Sequence, residues 1–253
     1  MIEVQNIEKH FGVNHVLKNV SFTFEKGKTN LIIGGSGSGK TTLIKILIGL
    51  HKIDSGTVLF NGVNFNAIKI KEQRLLRQEI GMLFQAGALY DSMTVEENIM
   101  FPLSMFTNKT EEEKLERVNF CLKRVNLEGK NNLLPTELSG GMTKRVAIAR
   151  AIVMQPKYLL CDEPNSGLDP KTAIIIDNLI QEITKEYNIT TIVNTHDMNS
   201  VMEIGENIAF INHGEIWWTG NKEELLNSDN KELNDFVFAS ELFKRLKQED
   251  EKC

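Results

Sequence analysis

The sequence feature that most constrains the fold is the segment GGSGSGKT at residues 34–41, which has the spacing G-x-x-x-x-G-K-[ST]. It follows the apolar run TNLII, which predicts a strand, and it opens into KTTLIKILIGL, which has helical spacing. Glycines let a backbone curl around a phosphate group, and the start of a helix presents N–H groups and the positive end of its dipole. The segment therefore predicts a phosphate-binding loop between a strand and a helix, formed by Gly34, Gly35, Ser36, Gly37, Ser38, Gly39, Lys40, Thr41 and Thr42.

Three further short apolar runs, YLLCDE, TTIVNTH and NIAFIN, predict buried strands. The helical pattern of residues 170–187 separates the first two runs, which indicates a strand–helix–strand crossover and hence parallel strands. Residues 1–30 alternate between apolar and polar side chains, which predicts a small antiparallel layer. The expected fold class is α/β: a mainly parallel, RecA-like core of the P-loop type with an N-terminal antiparallel β layer.

The same patterns predict the domain organisation. Residues 87–155 are mostly helical in pattern, with Thr110 placed to cap a helix, and predict a helical subdomain inserted in the α/β core. We expect one domain over residues 1–220 and a charged, helical C-terminal extension over residues 221–253. The extension contains three phenylalanines: Phe236, Phe238 and Phe243.

Composition argues against several classes of protein. The chain has 253 residues and three cysteines without paired spacing, so neither a disulfide framework nor a zinc site is indicated and a reducing compartment is expected. No apolar run reaches the roughly 18 residues of a membrane span, and we expect no secretion signal. The net charge of −5 gives no general attraction to nucleic acid, and no nucleic-acid partner is expected.

Polar side chains follow several of the predicted strands. Asp162 and Glu163 end the run YLLCDE, so one carboxylate can serve a metal ion while the other acts as a general base; the alternative is a solvated acidic loop. Gln85 and His196 also follow strand-like runs. A lone glutamine is usually a surface residue and a lone histidine usually structural, but ligands collect at the carboxyl ends of strands in such sheets.

A second candidate anion site occurs in LSGGMTKR at residues 138–145. Ser139, Gly140 and Gly141 stand at the front of an amphipathic helical pattern and carry no obvious catalytic side chain. Such a turn presents backbone N–H groups to an anion, or it simply caps the helix.

The ordered set of these motifs resembles that of ABC-type ATPases over nearly the whole chain to about residue 220. The motifs that carry the resemblance are Lys40 in its loop, Gln85, LSGG at residues 138–141, Asp162 with Glu163, SGLD at residues 166–169, and His196. The resemblance implies the ABC ATPase fold and an ATP hydrolase that uses ATP with Mg²⁺.

The resemblance also implies the chemical roles at the phosphate loop. Lys40 and the loop amides bind the phosphates, and Mg²⁺ is held by Thr41, Gln85 and, through water, Asp162. Glu163 activates the attacking water. His196 contacts the γ-phosphate.

Members of this family work as head-to-tail pairs, which gives the second anion site a purpose. The resemblance implies that a second copy of the chain supplies the lid over each ATP, through Ser139, Gly140 and Gly141. Asp169 then lies at the seam between the copies. The phenylalanines of the C-terminal extension either latch the dimer, as appended segments do in some members of the family, or pack locally. Phe11 either stacks on adenine or belongs to the core.

A narrower resemblance concerns the segment MLFQAGALYDSMTVEENIMFPL and Met142, where many relatives carry glutamine. Both look like the ATPase of Mla/MCE-type lipid transport systems. The implied partners are an MlaE-like integral membrane permease, docking around Gly87 to Val95, and indirectly an MCE-domain protein. Apolar residues in this stretch either contact the permease or form a core turn: Leu89, Tyr90, Met93 and Val95.

The expected function is therefore the cytoplasmic ATP-hydrolysing subunit of a transporter for phospholipid or another hydrophobic solute, peripheral on the inner face of the membrane through its permease. The alternatives are an importer or exporter motor for a different substrate, a soluble non-transport ABC ATPase and a binding module with an inactive site. Asn165 departs from the usual threonine or serine after the acidic pair, a conservative polar change.

Overall fold

The computed structural model describes residues 1–238. The strands of this part of the chain are β1 (Ile2–Phe11), β2 (Asn14–Phe24), β3 (Thr29–Ile33), β4 (Ser55–Phe60), β5 (Val63–Asn64), β6 (Ile80–Leu83), β7 (Tyr158–Asp162), β8 (Thr190–Thr195), β9 (Asn207–Asn212) and β10 (Glu215–Gly220). The α-helices are α1 (Lys40–Leu47), α2 (Ile70–Gln78), α3 (Val95–Phe106), α4 (Glu111–Arg124), α5 (Gly140–Ile152), α6 (Pro170–Tyr187), α7 (Met198–Ile204), α8 (Lys222–Leu226) and α9 (Lys231–Val237).

The chain forms two compact units. The first comprises Met1–Glu25, Thr29–Asn66 and the chain from Asn194 onward, and the second comprises Lys26–Lys28 and Ala67–Val193.

The first unit contains the predicted antiparallel layer. Its order is β2-β1-β4-β5, and β1 pairs antiparallel with both β2 and β4. The alternation of β1 buries Ile2 and Val4, because successive strand residues point to opposite faces, and a register shift between Val4 and Ile7 turns Ile7 inward as well. Strand β3 is buried at all five residues and runs parallel to β9. The hairpin of β9 and β10 is antiparallel.

The second unit carries the strand order β8-β7-β6, in which β6 and β7 are parallel. Helix α6 has the predicted bounds because both of its ends are marked in the sequence. Asp169 caps its first turn, and Asn188 ends it in the left-handed conformation with φ 48°. Helices α3, α4 and α5 pack on one another.

Thr110 confirms the predicted cap of α4, since its Oγ1 accepts a hydrogen bond from the Glu113 amide at 3.2 Å. The predicted helical region of residues 87–155 contains α3, α4 and α5, with irregular segments between them. The boundaries of the domain and of the inserted subdomain stay predictions.

The C-terminal extension is described as far as Phe238. Phe236 lies 5.4 Å, centroid to centroid, from Phe210 of β9, and Phe238 is 7% exposed. Both side chains pack within their own unit, which favours the local alternative over a latch. Phe243 lies outside the described residues. Within residues 1–238, none of the helices combines the length and apolar character that a bilayer-spanning segment requires.

Candidate active site

The phosphate loop of the first unit is closed by its own lysine. Lys40 is 6% exposed, and its Nζ donates hydrogen bonds to the backbone oxygens of Gly34 at 2.9 Å and Gly35 at 3.0 Å. Gly34 has φ 147°, and a Cβ there would lie 2.1 Å from the Ile211 carbonyl oxygen. Any other residue would therefore displace the end of β3 from β9. The lysine ammonium is held across a loop whose shape requires glycine.

Several hydroxyl and amide groups stand beside this loop in the first unit. Ser38 is 6% exposed, and its Oγ has no hydrogen-bond partner within the described residues. A buried hydroxyl without a partner is energetically costly, so this hydroxyl is suited to donate a hydrogen bond to a ligand oxygen. Asn194 at the end of β8 donates from Nδ2 to Thr41 Oγ1 at 3.4 Å. His196 follows two residues later and is exposed.

Sequence reasoning did not select Asn194. The residue is completely buried in a strand whose other side chains are also buried. The available signal was an amide inside the apolar run TTIVNT, since buried polar groups need partners. Its partner is the threonine of the phosphate loop.

Phe11 ends β1 and is 42% exposed. Its ring lies 5.1 Å from the ring of His51 in an edge-on contact, and Lys9 Nζ lies 5.1 Å from its centroid. This exposure argues against the alternative that Phe11 belongs to the core. Stacking on adenine stays a prediction.

In the second unit, the acidic pair has two different environments. Asp162 ends β7 and is 7% exposed, which excludes a solvated acidic loop for this residue. Glu163 has φ 47°, a left-handed conformation that only a few per cent of non-glycine residues adopt. Such conformations are concentrated at functional sites, where the surrounding structure offsets their cost.

Gln85 reaches the acidic pair from the loop after β6. Its Nε2 donates to Glu163 Oε2 at 3.0 Å and to Ser166 Oγ at 3.2 Å. Two residues that were predicted separately from the sequence are therefore in direct contact. Ser166 was noted only as part of SGLD, and the structure adds it as a partner of the Gln85 amide.

Ser139 directly precedes α5 and is exposed together with Gly140. Its Oγ accepts a hydrogen bond from the Met142 amide at 3.3 Å, so the residue is a helix cap. A Cβ on Gly141 would lie 2.6 Å from Thr172 Cγ2, which explains why a side chain is absent there. The cap leaves the exposed turn at the positive end of the helix dipole accessible to an anion.

Asp169 lies near this turn, at the start of α6. Its carboxylate accepts hydrogen bonds from the Thr172 hydroxyl at 2.5 Å and the Thr172 amide at 3.0 Å. These bonds hold the pKa of Asp169 below its ordinary value. The residue is an exposed anion at neutral pH.

The second unit also buries a cation that sequence reasoning did not select. Lys144 of α5 is 5% exposed. Burial lowers its pKa from the ordinary value, and the anionic forms of Cys161, Glu163 and Asp162 act in the opposite direction. The motif LSGGMTKR gave no signal for it, because a lysine in an amphipathic helix is usually a solvated residue.

Asn98 organises the loop between Gln85 and α3. It is completely buried, and its Nδ2 donates to the backbone oxygens of Tyr90, Met93 and Thr94, while its Oδ1 accepts from the Tyr90 amide at 2.8 Å. Val95 is 0% exposed, so the proposal that it takes part in docking is wrong and the core alternative holds for it. It begins α3, whose inner face needs an apolar residue at this position.

The same loop borders a groove of about 460 Å³ in the second unit. Aromatic and apolar side chains line it, including Phe84, Tyr90, Phe101, Pro102, Phe106 and Met154. Tyr90 is 46% exposed and Phe106 is 53% exposed. Exposed aromatic side chains around a concave surface are typical of an interaction site.

No group of three or more histidine, cysteine, aspartate or glutamate side chains in the described part of the chain is arranged to hold a metal ion. The candidate magnesium ligands are of another kind. A threonine hydroxyl, a glutamine amide oxygen and one carboxylate are hard oxygen donors, which suit Mg²⁺ when phosphate and water complete its coordination.

Comparisons with known proteins agree with these features. Residues 17–166 match the family model described as ABC transporter. The methionine import ATP-binding protein MetN of Clostridioides difficile (strain 630) is 39% identical over 237 residues, which cover 94% of this chain and 74% of that protein. The glutamine transport ATP-binding protein GlnQ of Escherichia coli (strain K12) is 40% identical over 240 residues, which cover 94% of this chain and 98% of that protein.

Among solved structures, the dimeric post-hydrolysis state of the ATP-binding cassette MJ0796 bound to ADP and Pi is similar, with a TM-score of 0.79 and 34% identity. The match covers 87% of this chain and 98% of the other. The expected α/β fold is confirmed by this likeness.

Proposed function

The chain belongs to the ABC transporter family, as an ATP-binding subunit that hydrolyses ATP with Mg²⁺, and we propose that it drives the movement of phospholipid or another hydrophobic solute through a membrane permease. Cassettes of this family form dimers and associate with membrane permeases. The proposal has three further parts: the residues that perform hydrolysis, the surface that contacts the permease and the class of substrate.

The contact between Gln85 and Glu163 supports the proposed chemistry. Glu163 Oε2 accepts a hydrogen bond from the Gln85 amide, so this carboxylate has a fixed position at the end of β7. A fixed carboxylate next to a buried aspartate suits a general base that takes a proton from water. In this proposal Lys40 and the loop amides bind phosphate oxygens, and His196 contacts the γ-phosphate.

The proposed magnesium ligands are Thr41, Gln85 and, through water, Asp162. Their oxygen atoms fit the preference of this ion. When bound, Mg²⁺ neutralises charge on the phosphate oxygens.

We place the lid of each ATP on a second copy of the chain, in a head-to-tail dimer. The exposed start of α5 at Ser139 and Gly140 supports this, because it is an anion site that faces solvent. Asp169 is assigned to the seam, and Phe11 to the face of the adenine.

The observation that carries the transport proposal is the apolar groove beside the Gly87-to-Val95 segment. Its exposed aromatic residues fit an apolar helix of a membrane partner. Without such a partner these residues would stay in contact with water. Leu89, Tyr90 and Met93 remain in the proposed docking surface, and Val95 does not. This assignment gives the chain a cytoplasmic position at the membrane surface, held there by an MlaE-like permease and, indirectly, by an MCE-domain protein.

The hydrophobic class of substrate rests on the resemblance of this segment and of Met142 to lipid transport ATPases. A second candidate is import of an amino acid, which the names of the methionine and glutamine relatives favour. The two candidates differ in the permease, since the transported molecule does not contact the ATPase.

The test is transport by the chain reconstituted in liposomes with the permease that purifies with it. The proposal predicts ATP-dependent movement of a fluorescent phospholipid and no uptake of labelled methionine or glutamine. Liposomes with the hydrolysis-blocked Glu163→Gln chain provide the control. Amino-acid uptake without phospholipid movement would establish the second candidate, and purification without any membrane protein would contradict both.

A further inference from the structure

Helix α5 is tied to the loop that carries Gln85 by two cationic side chains. Lys144 Nζ donates a hydrogen bond to the backbone oxygen of Gln85. Arg150 donates from its two terminal nitrogens to the backbone oxygens of Gly87 and Ala88, at 2.7 Å each. Three hydrogen bonds therefore connect one helix to three residues of the loop, Gln85, Gly87 and Ala88.

Packing on the same helix supports these bonds. Gly87 has φ 76°, and a Cβ there would lie 3.2 Å from Thr143 Cγ2 and 3.8 Å from Ala147 Cβ. Thr143, Ala147 and Arg150 are four and three residues apart, so they lie on one face of α5. The loop lies against this face closely enough to exclude a side chain at position 87. We call this set of contacts the α5 clasp, formed by Thr143, Lys144, Ala147 and Arg150.

Burial makes the clasp energetically significant. Lys144 is 5% exposed, and a buried ammonium is tolerated only when it has hydrogen-bond acceptors and opposite charge nearby. The Gln85 carbonyl provides the acceptor, and Asp162 and Glu163 are close enough to interact with the ammonium electrostatically. Because the Gln85 backbone oxygen is held by this hydrogen bond, the direction of the Gln85 side chain is also restricted.

We propose that Lys144 and Arg150 are positioning residues for ATP hydrolysis, which hold the Gln85 loop so that the Gln85 amide stays on the Glu163 carboxylate. The inference rests on the proposed function, because it takes Gln85 and Glu163 as the groups that act on metal and water. If the loop moves, the Gln85 amide no longer holds the Glu163 carboxylate in place. A displacement of a catalytic group by about 1 Å lowers the rate by about 100-fold.

The alternative is that the clasp only stabilises the fold. The two possibilities differ in how substitutions combine. If Lys144 acts through Gln85, its removal has no further effect once the Gln85 side chain is gone. If it only stabilises the fold, the effects of the two substitutions on turnover are independent.

The experiment measures kcat and KM for Mg-ATP hydrolysis by the full chain and by Lys144→Met, Gln85→Ala and the double variant. We expect Lys144→Met to lower kcat by about 10- to 100-fold, as substitutions behind metal ligands and bases do, with KM changed by less than about threefold. The double variant should be no slower than Gln85→Ala alone. The matched control is Lys114→Met, a lysine that is 8% exposed and pairs with Glu111 on its own helix at 2.6 Å. Its kcat should equal that of the wild type.

Wild-type kcat in Lys144→Met would overturn the inference, as would a double variant whose loss is the product of the two single losses. If Lys144→Met does not fold, Arg150→Met takes its place in the same cycle with Gln85→Ala and decides the question, since Arg150 is only partly buried. Glu163→Gln separates the two levels of the proposal. If Glu163→Gln hydrolyses ATP at the wild-type rate, the assignment of Glu163 as the base is wrong. If Glu163→Gln is inactive but Lys144→Met has wild-type kcat, only the role of the clasp is contradicted.

Discussion

At the scale of single residues, the acidic pair shows how neighbouring side chains acquire different roles. Asp162 is buried at the end of its strand, whereas Glu163 turns into a left-handed conformation and receives the Gln85 amide. The pattern DE after an apolar run predicted two carboxylates with separate functions. It did not predict that the Gln85 amide would donate to both Glu163 and Ser166, because this contact joins loops that are far apart in sequence.

Replacing Glu163 by glutamine should reduce kcat by about 10²- to 10⁴-fold, since the amide cannot accept a proton from water. Binding of ATP should be preserved, because glutamine has the same shape and its side-chain oxygen still accepts the hydrogen bond from Gln85. Turnover and nucleotide affinity measured on the same preparation test both parts. The matched control is Glu79→Gln, a half-exposed carboxylate that pairs with Lys157 at 2.7 Å. Hydrolysis by Glu163→Gln at the wild-type rate would rule out Glu163 as the base.

At the scale of secondary structure elements, the sequence was most informative where local signals agree. The helical pattern of residues 170–187 matches the bounds of the observed helix, whose ends are a capping aspartate and a left-handed asparagine. The loop before α3 was less predictable. Two alternatives were open for Val95, docking to the permease or a core turn, and the residue is buried because the helix that it starts needs an apolar residue facing inward. Asn98, which shapes the loop, makes its bonds through backbone groups that no sequence pattern reveals.

Asn98 gives a prediction for the docking loop. In Asn98→Asp the acceptor for the Tyr90 amide remains, but the three donations to loop carbonyls are lost and replaced by repulsion. We expect the free energy of unfolding to fall by about 1–3 kcal/mol and affinity for the permease to fall by at least about tenfold. Denaturant unfolding and binding to detergent-solubilised permease measure these two effects.

The control for this substitution is Asn119→Asp. Asn119 is exposed and its Oδ1 accepts from Asn131 at 2.8 Å, so the aspartate keeps this contact. Unchanged permease affinity in Asn98→Asp would show that the shape of the loop does not matter for docking.

At the scale of the whole molecule, each chain carries two candidate anion-binding elements, the phosphate loop after β3 and the exposed start of α5. The glycine spacing of the first and the serine cap of the second were both readable from the sequence. Their joint use by two copies was not, because a single chain contains no information on the surface of its partner. Family membership supplied the dimer, and the assignment of Ser139 to the ATP of the other copy stays a prediction.

Sedimentation velocity with Mg-ATP tests this assignment most directly. It compares the Glu163→Gln chain with two double variants that also carry Ser139→Asp or Ser139→Asn. Aspartate and asparagine both cap helices well, so Ser139→Asp and Ser139→Asn preserve the start of α5 and differ only in charge. With Mg-ATP and not with Mg-ADP, Glu163→Gln should sediment as a dimer, and the added Ser139→Asn should still allow association.

The added Ser139→Asp places a carboxylate where a γ-phosphate is expected, and this chain should remain monomeric while it binds ATP normally. A dimer of the Ser139→Asp chain as stable as that of the Ser139→Asn chain would contradict the claim that ATP is held between the phosphate loop of one copy and the Ser139 turn of the other.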